Sequence, residues 1–112
     1  MIYQNKPLLI RILYENTHKN SVFGIYRPQA YIKEAGNYCT VCRIDILKQE
    51  IKQGKNIVIN AILEAPVGFG EHLTEGTLLS LRSGLDEEGR AIVLEVINYL
   101  DELDKSVKKK NS

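Results

Sequence analysis

Six short runs of strand-forming residues, cut apart by turn signals, occupy residues 8 to 97. That succession restricts the chain to an all-β architecture, a small closed barrel or a sandwich. Leu8 to Glu15 opens the series, with Leu8, Ile10, Ile12 and Tyr14 on one face by the period of two that a strand imposes. The polar stretch Asn16 to Ser21 is turn-like. In the second run, Gly24 to Lys33, the side chains of Arg27, Gln29, Tyr31 and Lys33 share one face, and Tyr26, Pro28, Ala30 and Ile32 share the other. Pro28 has no backbone N–H to give to a ladder, so this strand should be interrupted or lie at an edge there. Tyr38 to Leu47 is the third strand, after a turn at Ala35 to Asn37, and Asn56 to Leu63 is the fourth. The fourth is apolar on nearly both faces and is expected to be central. After the Pro66 to Gly70 loop come Thr77 to Arg82 as the fifth strand, a turn from Gly84 to Gly89, and Arg90 to Ile97 as the sixth.

The tail follows a different period. Val96, Leu100, Leu103 and Val107 recur at helical spacing, and Asn98 can cap a helix start. Asp101, Glu102 and Asp104 lie early and Lys105, Lys108, Lys109 and Lys110 late, an order that complements the helix dipole. The expected organisation is therefore one domain over residues 1–112. It has a barrel at about 8–97 and a C-terminal α-helix with a basic end at about 98–112, packed on the barrel through its apolar stripe. The final lysines read either as a solvated end or as an RNA or lipid contact.

A chain of 112 residues with 44% hydrophobic and 26% charged content can bury one ordinary core without metals or disulfides. The net charge of +1 supplies no whole-molecule field toward nucleic acid or anionic lipid. The longest apolar run falls far short of the ~20 residues that span a bilayer, and no basic start leads into an apolar stretch at Met1 to Lys6. The expected location is the cytoplasm, without membrane attachment. Cys39 and Cys42 have a C-x-x-C spacing, which suits a zinc half-site or a redox pair. On a strand, however, residues three apart point to opposite faces, and only His18 and His72, both distant, could complete a metal site. No cofactor, metal or essential disulfide is expected.

Two stretches carry a family resemblance. Gly24-Ile25-Tyr26-Arg27-Pro28-Gln29-Ala30-Tyr31-Ile32 resembles the Gly-Tyr-Arg-Pro-Gln-Phe-Tyr run of the third, C-terminal domain of bacterial elongation factor Tu, with one residue more after the glycine. Gly54-Lys55-Asn56-Ile57 opens an apolar strand that ends near Pro66. The chain then continues through Glu75-Gly76-Thr77-Leu78-Leu79-Ser80-Leu81-Arg82-Ser83-Gly84 to Gly89-Arg90, in an order similar to that family over roughly residues 8 to 97. The resemblance implies a six-stranded antiparallel barrel. In the full factor this domain packs on the GTPase domain and helps hold the T stem of aminoacyl-tRNA.

The departures bear on function. No G-x-x-x-x-G-K-[ST] run is present, so no nucleotide binding is expected. The acidic residue that meets tRNA in the family falls on Ser83, and Asp86, Glu87 and Glu88 add negative charge that would repel a phosphate backbone. The candidate binding residues are Arg27, Gln29 and Lys33 on one strand face, with Arg82, Ser83 and Gly84 at the start of the following turn. Each also reads as an ordinary strand or turn residue that bonds within the fold. His18 and His72 sit in loops with no triad partners in view, so no catalytic residue is named. Phe69, between Gly68 and Gly70, reads as a plug for the barrel end or as an exposed anchor. The expected function is non-catalytic binding of a protein. The partner would belong to the translation machinery, or would be a toxin neutralised by a small immunity-type protein that mimics an elongation factor domain. Binding of structured, tRNA-like RNA is the alternative, and a small hydrolase a third. The oligomeric state is left open.

Overall fold

Alternating apolar residues place one face of every strand inside a closed ring, as a computed structural model describing residues 3–100 shows. The strands are β1 (Leu8–Asn16), β2 (Val22–Tyr26), β3 (Gln29–Tyr31), β4 (Cys39–Ile51), β5 (Asn56–Leu63), β6 (Leu78–Ser83) and β7 (Asp86–Tyr99). Two 3₁₀ segments, Lys33–Ala35 and Pro66–His72, complete the described elements. The sheet order is β2-β4-β3-β6-β7-β1-β5, and a β4–β5 pairing closes it. All pairings are antiparallel.

β2 and β3 are two halves of one barrel strand. β2 pairs with the far half of β4, from Val22↔Ile51 to Tyr26↔Ile44, and β3 pairs with its start, from Gln29↔Val41 to Tyr31↔Cys39. The break falls at Arg27 and Pro28, as the missing N–H of proline requires. The Pro28 carbonyl still accepts a hydrogen bond from the Cys42 amide at 2.9 Å, so the crossing remains tied to β4. Counted this way, the barrel has six strands.

Inside lie Leu8, Ile10, Ile12 and Tyr14 of β1, Ile44 and Ile46 of β4, Leu79 and Leu81 of β6, and Ala91 and Val93 of β7. The Pro66–His72 segment closes one end. Phe69 is fully buried there, edge-on to Tyr38 with ring centroids 5.2 Å apart, so it is a plug and not an exposed anchor. Gly68 must be glycine for this packing, because a Cβ would lie 2.2 Å from the Tyr38 ring. Among the described residues, no helix is long and apolar enough to cross a membrane.

Four expectations change. β4 extends to Ile51, beyond Leu47. β5 is not central, because a closed ring has no centre, and Val58 on its outer face is 60% exposed. The Gly84 to Gly89 turn shrinks to Gly84 and Leu85. Ser83 pairs with Asp86 across it, and Gly84 takes the positive φ of 64° that such a tight hairpin favours. Asp86, Glu87 and Glu88 therefore belong to β7. Finally, β7 runs on to Tyr99, where Leu9 pairs with Asn98 and Leu8 with Tyr99. Asn98 is thus a strand residue and not a helix cap, and Val96 packs against the core from a strand. The start of β1 offers a ladder there, and the Leu100 amide donates to the Pro7 carbonyl at 2.8 Å. The remainder of the expected C-terminal helix, 101–112, lies outside the described residues.

The two cysteines face opposite ways, as strand alternation requires. Cys39 is half-buried on the outer side, whereas Cys42 is fully buried and its thiol is pushed up to about 12 by that burial. In native protein near neutral pH, a thiol reagent is expected to modify Cys39 alone, with Cys42 reacting only after unfolding. Mass spectrometry of the labelled protein checks this. Rapid double labelling without denaturant would contradict the packing around Cys42.

Candidate functional site

The pairing of β3 with β6 brings the expected residues onto one wall. Gln29 stands opposite Arg82, and Tyr31 opposite Ser80. Because Ala30 and Leu81 point into the core, Gln29, Tyr31, Ser80 and Arg82 point outward together. The Arg82 guanidinium lies over the Tyr31 ring, 4.5 Å from its centroid, in a cation–π contact. Its Nε donates to Ser80 Oγ at 3.0 Å, and Ser80 Oγ donates to Glu87 Oε2 at 2.7 Å. Glu87 also pairs with Arg90 at 3.4 Å. The Arg82 side chain is thus held from two directions. On the far side, a hydrogen bond with the Cys39 side chain is the main cause raising the Tyr31 hydroxyl above its ordinary value.

Beside this stack lies an open concavity of about 530 Å³, lined by Tyr31, Lys33, Glu34, Ser80, Arg82 and Glu87 among others. The Lys33–Ala35 segment forms one rim, just beyond the end of β3. Two cations and two carboxylates share the lining, so the site offers both donors and acceptors rather than a field of one sign.

Of the six candidate residues, Lys33 and Arg82 line this concavity, and Gln29 adjoins Arg82 across the ladder. Ser83 and Gly84 continue from Arg82 into the hairpin turn. Arg27 sits exposed in the break between β2 and β3 and does not line the concavity. Tyr31, Ser80 and Glu87 are the additions. The alternation signal already placed Tyr31 on the face of Arg27 and Gln29, and Ser80 two residues before Arg82. Glu87 escapes a reading of the sequence because Gly84 and Gly89 suggest a turn where β7 begins.

The three acids of β7 do not act as a block. Glu87 faces the concavity, while Glu88 accepts a 2.7 Å hydrogen bond from the Tyr26 hydroxyl. Burial is the main cause raising the Tyr26 hydroxyl above its ordinary value, and this bond adds to it. His18 Nδ1 accepts from the Asn20 amide, and His72 is exposed, with its backbone carbonyl accepting from the Thr77 hydroxyl. Neither lines the concavity. Among the described residues, no group of three or more His, Cys, Asp or Glu side chains converges on a point that could hold a metal ion. No protein-family model matches the chain, and no curated protein matches it.

Proposed function

We propose that the chain is a non-catalytic binding module that takes a protein partner on the outer wall formed by β3 and β6. The observation that carries this is the Arg82–Tyr31 stack, fixed by Ser80 at the side of a concavity. Arg and Tyr are the side chains that most often dominate protein interfaces, and a pair already held in place loses little entropy on binding. Glu34 and Glu87 in the same lining favour a partner with its own basic or amide groups over a phosphate backbone. With the resemblance to the third domain of elongation factor Tu, this supports two settings. The partner is a component of the translation machinery, or a toxin that the module neutralises by mimicking that domain.

RNA is the second reading, favoured by the same aromatic ring with Arg82 and Lys33 beside it, a combination on which unpaired bases stack. The two separate in a capture experiment with lysate from the source organism, with and without ribonuclease. A discrete protein should be retained after ribonuclease treatment. Arg82→Ala should weaken its binding by about 2 kcal/mol, on the order of thirtyfold, with an unchanged melting temperature. Capture that vanishes on ribonuclease treatment would favour RNA, and capture indifferent to Arg82→Ala would place the partner elsewhere.

A further inference from the structure

Adjoining that concavity, whose edge Leu78 also lines, the strand register lines up four outward apolar side chains across four neighbouring strands. Leu78 of β6 pairs with Ile92 of β7, Ile92 with Leu13 of β1, and Leu13 with Val58 of β5. Leu78, Ile92 and Val58 are 54%, 39% and 60% exposed, and Leu94, further along β7, is 40% exposed. A transverse apolar row on the outside of a barrel serves no core and marks a contact surface.

The charges that border the row indicate what covers it. On one side Glu15 of β1 pairs in register with Arg90 of β7; on the other Arg11 of β1 pairs with Glu95 of β7, joined by a 3.1 Å ion pair. Along β1 the order is therefore Arg, apolar, Glu, and along the facing stretch of β7 it is Glu, apolar, Arg. The two central strands carry opposite charges at each level.

We infer that this band is a two-fold interface between two copies of the chain. Let the axis lie in the interface plane, parallel to the strands and between β1 and β7. Then β7 of one copy faces β1 of the other, and β6 faces β5. Leu78 meets Val58 of the second copy, and Ile92 meets its Leu13. At the same time Arg90 faces Glu15 and Arg11 faces Glu95, so no like charges meet. Such self-complementarity is what an isologous contact requires, whereas like-charge juxtaposition costs several kcal/mol. Glu15 has no ion pair of its own among the described residues, and the second copy's Arg90 supplies one.

Four strands about 4.8 Å apart and about seven residues of each at ~3.3 Å give a face of about 440 Å² per copy. Roughly 900 Å² in total lies below the standard size of stable interfaces, so the dimer should be weak and transient, populated toward the upper end of a micromolar series.

Sedimentation velocity on the full chain tests the proposal, over a series from about 1 to about 300 μM. The wild type should shift from monomer to dimer across the series. Ile92→Glu should remain monomeric throughout, with its thermal unfolding unchanged. Arg90→Glu alone should weaken the dimer at least about tenfold, and adding Glu15→Arg should restore it, because the double exchange recreates the cross-copy pair. A wild type that stays monomeric to the highest concentration would overturn the proposal. So would a dimer indifferent to Ile92→Glu, or a charge exchange that fails to restore association.

Discussion

Asn16→Asp is expected to destabilise the fold by about 3 to 5 kcal/mol at neutral pH, for the change of one side-chain group. Asn16 is fully buried at the end of β1. Its Nδ2 donates to the carbonyls of Asn20 at 2.9 Å and Ile51 at 2.8 Å, and its Oδ1 accepts from the His18 amide at 2.9 Å. Its backbone is tied as well: its amide donates to the Lys55 carbonyl, and its carbonyl accepts from the Gly54 amide. One residue thus fastens the loop after β1, the end of β4 and the turn into β5. A carboxylate keeps the bond from His18 but turns an anionic oxygen toward two carbonyl oxygens with no hydrogen between them. The sign of the pH dependence follows. Burial beside acceptors favours the protonated acid, so its folded-state pKa rises above the unfolded ~3.9. The folded variant then binds more protons than the unfolded chain between those two values. Its deficit is smallest below about pH 4 and grows as pH rises through the raised value. Urea midpoints of variant and wild type from about pH 3 to about pH 8 check this. A gap that is small, or that does not vary with pH, would mean that Asn16 does not hold these segments together.

Phe69→Ala is expected to cost about 3 to 5 kcal/mol, the range for removing a buried aromatic ring. Phe69 is the largest side chain of the segment that closes the barrel end, and the Tyr38 ring stands edge-on against it. Tyr38 is itself tied down, since its hydroxyl donates to the Ala65 carbonyl and its ring occupies the space beside Gly68. Little can therefore collapse into the void, which places the loss toward the upper part of that range. The urea midpoint should fall with the slope unchanged. A loss under about 1 kcal/mol would show that the Pro66–His72 segment is a loose cover rather than part of the core.

Much of the barrel was legible because it rests on local chemistry. The period of two in Leu8 to Tyr14 is the inner face of β1, and the missing N–H of Pro28 is the break between β2 and β3. What escaped was set by partners distant in sequence. Val96 and Leu100 fit a helical spacing and Asn98 fits a helix cap, but the ladder offered by Leu8 and Leu9 carries the strand on through Asn98 and Tyr99. The glycines at 84 and 89 suggested a long turn. Gly89 instead lies inside β7 against Tyr14, where a Cβ would come within 2.9 Å of that ring. Apolar residues on both faces of β5 suggest a central strand, yet in the closed ring its outer Val58 is exposed to solvent. The candidate wall was half visible: Gln29 and Arg82 could be named, but the β3–β6 pairing that sets them side by side joins strands not consecutive in sequence. The stack of Arg82 on Tyr31 follows from that pairing alone.

Photocrosslinking in cells of the source organism probes the β3–β6 wall most directly, with a photoreactive residue in place of exposed Lys33 and a control at exposed Lys19 in the loop after β1. Position 33 should yield a discrete protein adduct that survives ribonuclease and disappears when Arg82→Ala is added, while position 19 yields none. Adducts at position 33 that ribonuclease removes, or that persist unchanged with Arg82→Ala, would contradict a protein partner on this wall.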